Sequence, residues 1–92
     1  MAKQLLELGR VVATPGALEA LKQSAQSPSE LLNRHLTGDW GDLTEGDRQL
    51  NDEALENGSR VLSAYTLNNG TRIWAITEGD RSSTCLLLPS EY

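Results

Sequence analysis

Few residues in this chain are equipped for chemistry. His35 is the only histidine and Cys85 the only cysteine. Any general acid/base or metal proposal therefore leans on His35. It precedes Asp39 by four residues, late in a helical stretch. Near a helix C-terminus a positive charge is welcome, so a surface or half-buried histidine whose removal leaves the fold intact is the plain alternative. A lone cysteine makes no internal disulfide, and no Cys/His cluster has zinc-ligand spacing. Cys85 reads as a small buried hydrophobe, with a reactive thiol as the alternative. Glu78, Asp80 and Arg81 cluster in a short turn. A carboxylate pair there suits acid/base work, and solvated turn charges are the simpler reading. No glycine-rich phosphate loop, nucleophile elbow or metal-binding spacing occurs, and no cofactor is implied.

A second kind of chemistry is contact. Gly38-Asp39-Trp40-Gly41-Asp42 frames one tryptophan with two glycines and two acids. Tryptophan is favoured at binding hot spots, so Trp40 reads either as a contact residue or as a lid folded onto a core without phenylalanine. The net charge of −5 is concentrated. Residues 39–56 hold Asp39, Asp42, Glu45, Asp47, Asp52, Glu53 and Glu56 against Arg48 alone. The flanking stretches are close to neutral. A basic nucleic-acid footprint is absent. An acidic segment of this kind suits a basic groove meant for phosphate, with fast and salt-sensitive association. The candidate contact residues are Asp39, Trp40, Asp42, Asp52, Glu53 and Glu56, and the candidate partner is a protein, such as a basic nucleic-acid-handling complex.

The elements that position these residues are marked by local signals. The 92 residues allow one domain, 1–92, with a small core. Thr14-Pro15 places a cap before a proline, and Ala17, Leu18, Leu21 and Ala25 follow at helical spacing. Ser27-Pro28-Ser29-Glu30 reads as a capping box, with Leu31, Leu32 and Leu36 as the apolar face and a stop near Gly38. Thr44-Glu45-Gly46-Asp47 starts a third helix. Leu50, Ala54 and Leu55 supply its apolar face, and Asn57-Gly58 ends it. The period then changes. Val61–Leu67 and Arg72–Thr77 read as strands around Asn69-Gly70, a two-residue hairpin turn that sets Tyr65 against Trp74 and Leu62 against Thr77. Thr84–Leu88 is a further strand, closed by Pro89, and Arg10–Ala13 a short first one. These elements predict an α+β fold: about three short helices packed on a three- to four-stranded antiparallel sheet, in the order β-α-α-α-β-β-β. The first two helices carry too little positive charge for a DNA-reading helix-turn-helix, and a plain helical hairpin is favoured. No run approaches the roughly 20 apolar residues of a membrane span, the opening residues lack a signal-peptide pattern, and one cysteine suits a reducing cytoplasm.

Four strings resemble a family of small bacterial "plasmid-related" proteins from plasmids, phages and integrated elements. They are Val12-Ala13-Thr14-Pro15-Gly16-Ala17-Leu18, His35-Leu36-Thr37-Gly38-Asp39-Trp40-Gly41, Gly58-Ser59-Arg60-Val61-Leu62-Ser63-Ala64-Tyr65, and Ile73 to Glu78 with Asp80-Arg81-Ser82 and Leu88-Pro89-Ser90-Glu91-Tyr92. The resemblance covers almost the whole chain. It implies a bacterial cytoplasm and a mobile-element setting, and no particular reaction or catalytic residue. By analogy, small acidic proteins of that setting include anti-CRISPR and anti-restriction inhibitors of host defence. The functional expectation is a non-enzymatic binding protein that occupies a surface of a larger partner. The alternative is a small hydrolase or nuclease using His35 with Asp39, Glu78 or Asp80.

Overall fold

The computed structural model describes residues 3–92. Four strands, β1 (Arg10–Ala13), β2 (Val61–Thr66), β3 (Arg72–Thr77) and β4 (Ser83–Leu87), form one sheet in the order β1-β4-β3-β2. Helices α1 (Pro15–Gln23), α2 (Pro28–Leu36) and α3 (Glu45–Asn57) lie between β1 and β2 in the chain, and a 3-10 turn, Pro89–Glu91, follows β4. The α+β class and the helical first half are as the sequence predicts. The sheet is mixed rather than purely antiparallel, because β1 runs parallel to β4 while β2–β3 and β3–β4 are antiparallel. The direction of β1 is fixed where it enters. The Thr84 hydroxyl donates to the Leu8 carbonyl, and the Arg10 amide donates to the Ser82 carbonyl at 3.0 Å.

Local chemistry accounts for two helix starts. The Thr14 hydroxyl accepts from the Ala17 amide at 3.1 Å, and the Thr44 hydroxyl from the Asp47 amide at 3.2 Å. The expected box at Ser27 does not form. Its hydroxyl pairs with that of Ser29, and Glu30 accepts from the Gln26 amide nitrogen instead of reaching back to the Ser27 backbone.

Alternation divides the sheet. Val61, Ser63, Tyr65, Ile73, Ala75, Thr77, Thr84 and Leu86 share the inner face. Tyr65, Ile73, Ala75 and Leu86 pack with Ala17, Ala20, Leu21 and Leu31 of α1 and α2 as the main core. A second cluster joins Leu6, Trp40, Ala54 and Val61.

In α3 the pattern is off by one. Leu50, expected on the apolar face, is 62% exposed, and Asn51 is buried. The Asn51 side chain donates to the Leu62 carbonyl at 2.7 Å and accepts from the Leu62 amide at 3.2 Å. The free edge of β2 needs a polar partner more than the core needs another leucine.

The hairpin register is also corrected by one residue. Tyr65 faces Ile73, Ala64 faces Trp74, and Leu62 faces Ile76. The loop holds three residues, Asn68–Gly70, between Leu67 and Thr71, whose backbones bond at 2.8 Å. Gln26 accepts from the Asn68 amide and Asn69 from the Thr71 amide, which stabilises the longer loop. Gly70 has φ +88° and open space where a Cβ would sit. Gly70→Val is therefore expected to destabilise the domain by about 1 kcal/mol or somewhat more, through backbone strain alone. Thermal melting checks it, and an unchanged midpoint would refute the assigned loop.

Candidate functional site

His35 sits in the core with no exposed surface. This corrects the surface or half-buried position expected from its place late in α2. Nδ1 lies 2.6 Å from the Ser63 hydroxyl and Nε2 2.9 Å from the Thr77 hydroxyl. Thr77 meets Thr84 at 2.7 Å, and Thr84 donates to the Leu8 carbonyl at 2.8 Å. That terminal carbonyl fixes every proton in the chain. Thr84 gives its hydrogen to Leu8, so Thr77 must donate to Thr84, and His35 Nε2–H must donate to Thr77. Nδ1 is then bare and accepts from Ser63. The imidazole is neutral. Burial, assisted by the Arg81 charge, lowers its pKa to about 4.

A serine hydroxyl on an imidazole resembles an activated nucleophile. Here Ser63 is also without exposed surface, so a substrate has no approach. Neither ring nitrogen bonds Asp39, Glu78 or Asp80. The group acts as a polar brace between α2, β2, β3 and β4, and the Trp40 ring stands edge-on to the imidazole at 5.9 Å.

The 38–43 segment lies along the free edge of β2. The Asp42 amide donates to the Ala64 carbonyl at 2.7 Å, and the Ala64 amide to the Trp40 carbonyl at 3.1 Å. Trp40 is 5% exposed and serves as the core lid. Its indole N–H donates to Asp52 at 3.1 Å. Asp39 pairs with Arg34 at 2.7 Å, which holds its carboxyl below the usual carboxylate range. The same guanidinium stacks over Tyr65, whose hydroxyl donates to the Asp39 carbonyl. Asp39, Trp40 and Asp52 thus border one shallow depression, together with Glu45 and Arg48. Asp42 lies apart and accepts from the Thr66 hydroxyl. Glu53 and Glu56 are exposed on α3. Glu45, Asp52 and Glu56, at helical spacings of seven and four, share its outer face.

A groove of about 680 Å³ opens on the other flank of α3. Leu43, Leu50 and Asp47 form one wall, Leu62, Ala64 and Trp74 the floor, and Arg60 and Arg72 the rim. Sequence reasoning missed this site. It assigned Leu50 to the core and paired Trp74 with Tyr65 on one face, whereas the observed register turns Tyr65 inward and Trp74 outward. Leu50 and Trp74 are the accessible apolar groups beside the acidic helix.

The 78–82 turn is structural in its visible role. Arg81, at φ +61°, donates to the Ala54 carbonyl at 2.8 Å and to the Ser59 carbonyl at 2.6 Å, supplying the basic group that the last turn of α3 lacks. Cys85 is half-buried on the outer sheet face, and burial pushes its thiol pKa up, away from the reactive range. Among the described residues, no group of three or more His, Cys, Asp or Glu is placed to hold a metal ion, and no helix is long and apolar enough to cross a membrane.

No family model, curated protein or solved structure matches the chain.

Proposed function

We propose that this is a non-enzymatic binding protein that acts by occupying a basic surface of a larger protein partner. The carboxylates of α3 and its adjoining loop make the charged contact, and the groove beside Leu50 and Trp74 seats an apolar side chain of the partner. The resemblance to plasmid-related proteins extends the proposal to the cytoplasm of a bacterium carrying a mobile element. There the protein would inhibit host defence, in the manner of anti-CRISPR or anti-restriction proteins, on a partner that handles nucleic acid.

One observation carries the reading. Glu45, Glu53 and Glu56 are exposed and make no side-chain hydrogen bond or ion pair among the described residues. Their helix is nevertheless held rigidly by Asn51, Arg81 and the Thr44 cap. Glu45 in the first turn suits the positive end of the helix dipole, but Glu53 and Glu56 lie toward its negative end among like charges and add nothing to the fold. A fixed anionic surface chiefly accelerates encounter with a cationic one.

The test begins with capture of a partner from bacterial lysate and its identification by mass spectrometry. Binding kinetics are then compared for the parent and for a variant carrying Asp52→Asn, Glu53→Gln and Glu56→Gln. The amide introduced by Asp52→Asn keeps an oxygen for the Trp40 indole, so the fold is preserved. Association of the variant is expected to slow about tenfold at low salt and to lose most of its salt dependence. Equal association rates at low and moderate salt would overturn the reading.

A further inference from the structure

The two edges of the sheet are treated differently. On β2 the amide and carbonyl of Leu62 are taken by Asn51, and those of Ala64 by the 40–42 segment. On β1 the parallel ladder uses Arg10, Val12 and Thr14, with the Arg10 and Thr14 amides donating to Ser82 and Leu86 at 3.0 Å. By alternation the backbone groups of Val11 and Ala13 face outward. No loop or side chain of the described residues bonds them. Val11 is 44% and Val12 43% exposed, and β1 carries no proline, lysine or bulge to guard it.

We propose that β1 is an interface with a second copy of this chain, the two sheets joining edge to edge across a two-fold axis. The strand fits its own image in one register. With Val11 opposite the partner's Ala13, both outward residues of each strand exchange amide–carbonyl bonds, four in all. Val12 then lies on the axis opposite the partner's Val12, in a narrow pair with Cα atoms about 4.5 Å apart. Each exposed valine loses part of its contact with water, on the side that meets the partner strand.

Charge supports the same register. Arg10 has no ion pair among the described residues. It shares the outer face with Val12 and falls opposite the partner's Thr14. The Thr14 hydroxyl is bonded to Glu91 at 2.5 Å, so the partner's Glu91 stands beside the incoming guanidinium. Symmetry makes this pair twice. The acidic helix α3 lies along β2, at the opposite edge, so the concentrated negative charges end at the far ends of the joined sheet. Screening over such a distance removes most of their repulsion. The contact is small, which places the dimer among weak, reversible associations.

Sedimentation equilibrium from about 10 μM to about 1 mM is expected to show a monomer–dimer equilibrium. Val12→Lys sets two ammonium groups face to face on the axis, on a side chain already exposed in the single copy. It is expected to weaken association at least about tenfold while leaving the melting temperature unchanged. Exchange of the Val11 and Ala13 amides in the parent is expected to slow as concentration rises, and this readout holds even if the variant folds poorly. A parent that stays monomeric at the top concentration would overturn the proposal. So would a dimer that Val12→Lys leaves equally tight, or Val11 and Ala13 amides whose exchange ignores concentration. The first result would leave the open edge to a strand of a different protein.

Discussion

His35→Ala is expected to destabilise the domain by about 3–5 kcal/mol, the range for emptying a large buried site. The fully buried ring braces two hydroxyls of the inner face. Its removal leaves the Ser63 hydroxyl without an acceptor and the Thr77 oxygen without a donor. A buried donor left unsatisfied costs about 1–3 kcal/mol. A domain of this size has a total stability of only about 5 kcal/mol or slightly more. The variant should therefore be largely unfolded at modest denaturant concentrations. The Ser63→Ala, His35→Ala double variant should lose less than the sum of the two single changes, because the orphaned hydroxyl is gone. Urea titrations of the four proteins measure this. Strict additivity would remove Ser63 from the brace.

The same brace predicts an acid dependence with a definite sign. The folded protein holds His35 neutral down to about pH 4, whereas the unfolded chain takes the proton near 6.5. Between those limits the unfolded state binds more protons, so stability falls as pH falls. The slope approaches about 1.4 kcal/mol per pH unit, for a total on the order of 3 kcal/mol. Above pH 6.5 this contribution is complete, and below about 4 nothing further is lost through His35. The carboxylates of Asp39, Asp80 and Glu91, held below their usual range, act at lower pH. The interval from about pH 4.5 to 6.5 therefore belongs to the imidazole. A His35→Gln protein stable enough to titrate should be flat there. A slope that survives the substitution would assign the acid sensitivity elsewhere.

What the sequence reveals of this fold is what is local. Thr14, Pro15, Thr44 and Asp47 specify their helix starts because donor and acceptor lie within one turn. The capping sequence at Ser27 is as good on paper, yet its hydroxyl and Glu30 find other partners. The α3 pattern favours Leu50 over Asn51, because hydropathy registers burial and not the need of a strand edge for an amide. Asn69-Gly70 identifies a hairpin, but the loop length depends on Gln26, far away in the chain. One residue of slip then decides that Trp74 faces outward. The direction of β1 follows from contacts at Leu8 and Ser82, which no pattern within four residues encodes. The brace around His35 was legible only in hindsight: Ser63, Thr77 and Thr84 are small polar residues on strands, and their shared inner face needs the register before it can be seen. Of the candidate contact residues, Asp39, Trp40 and Asp52 come together. The apolar groups on the other flank of α3 were hidden by the pattern errors at Leu50 and Trp74.

Gly41→Ala is expected to be the more damaging of two matched glycine substitutions. Gly41 and Gly70 both hold left-handed backbone, at φ +76° and +88°. The conformational strain of an added methyl is therefore similar, about 1 kcal/mol at each. Their surroundings differ. At Gly70 a Cβ meets nothing within 4 Å, while at Gly41 it would overlap the Ala64 carbonyl oxygen outright and lie 2.7 Å from Cδ1 of Tyr65. The segment can relieve this overlap only by withdrawing from β2. Withdrawal breaks the Asp42–Ala64 and Ala64–Trp40 backbone bonds and leaves an edge strand partly unsatisfied. Two such bonds are worth about 1–3 kcal/mol together. Trp40 directly precedes Gly41, so its packing against Leu6, Ala54 and Val61 shifts as well. The expected loss is about 3 kcal/mol or more for Gly41→Ala, against about 1 kcal/mol for Gly70→Ala. Denaturant titration of the two variants separates steric exclusion from backbone strain. Equal losses would mean that the 40–42 segment does not clasp β2, and the protection of that edge would then rest on Asn51 alone.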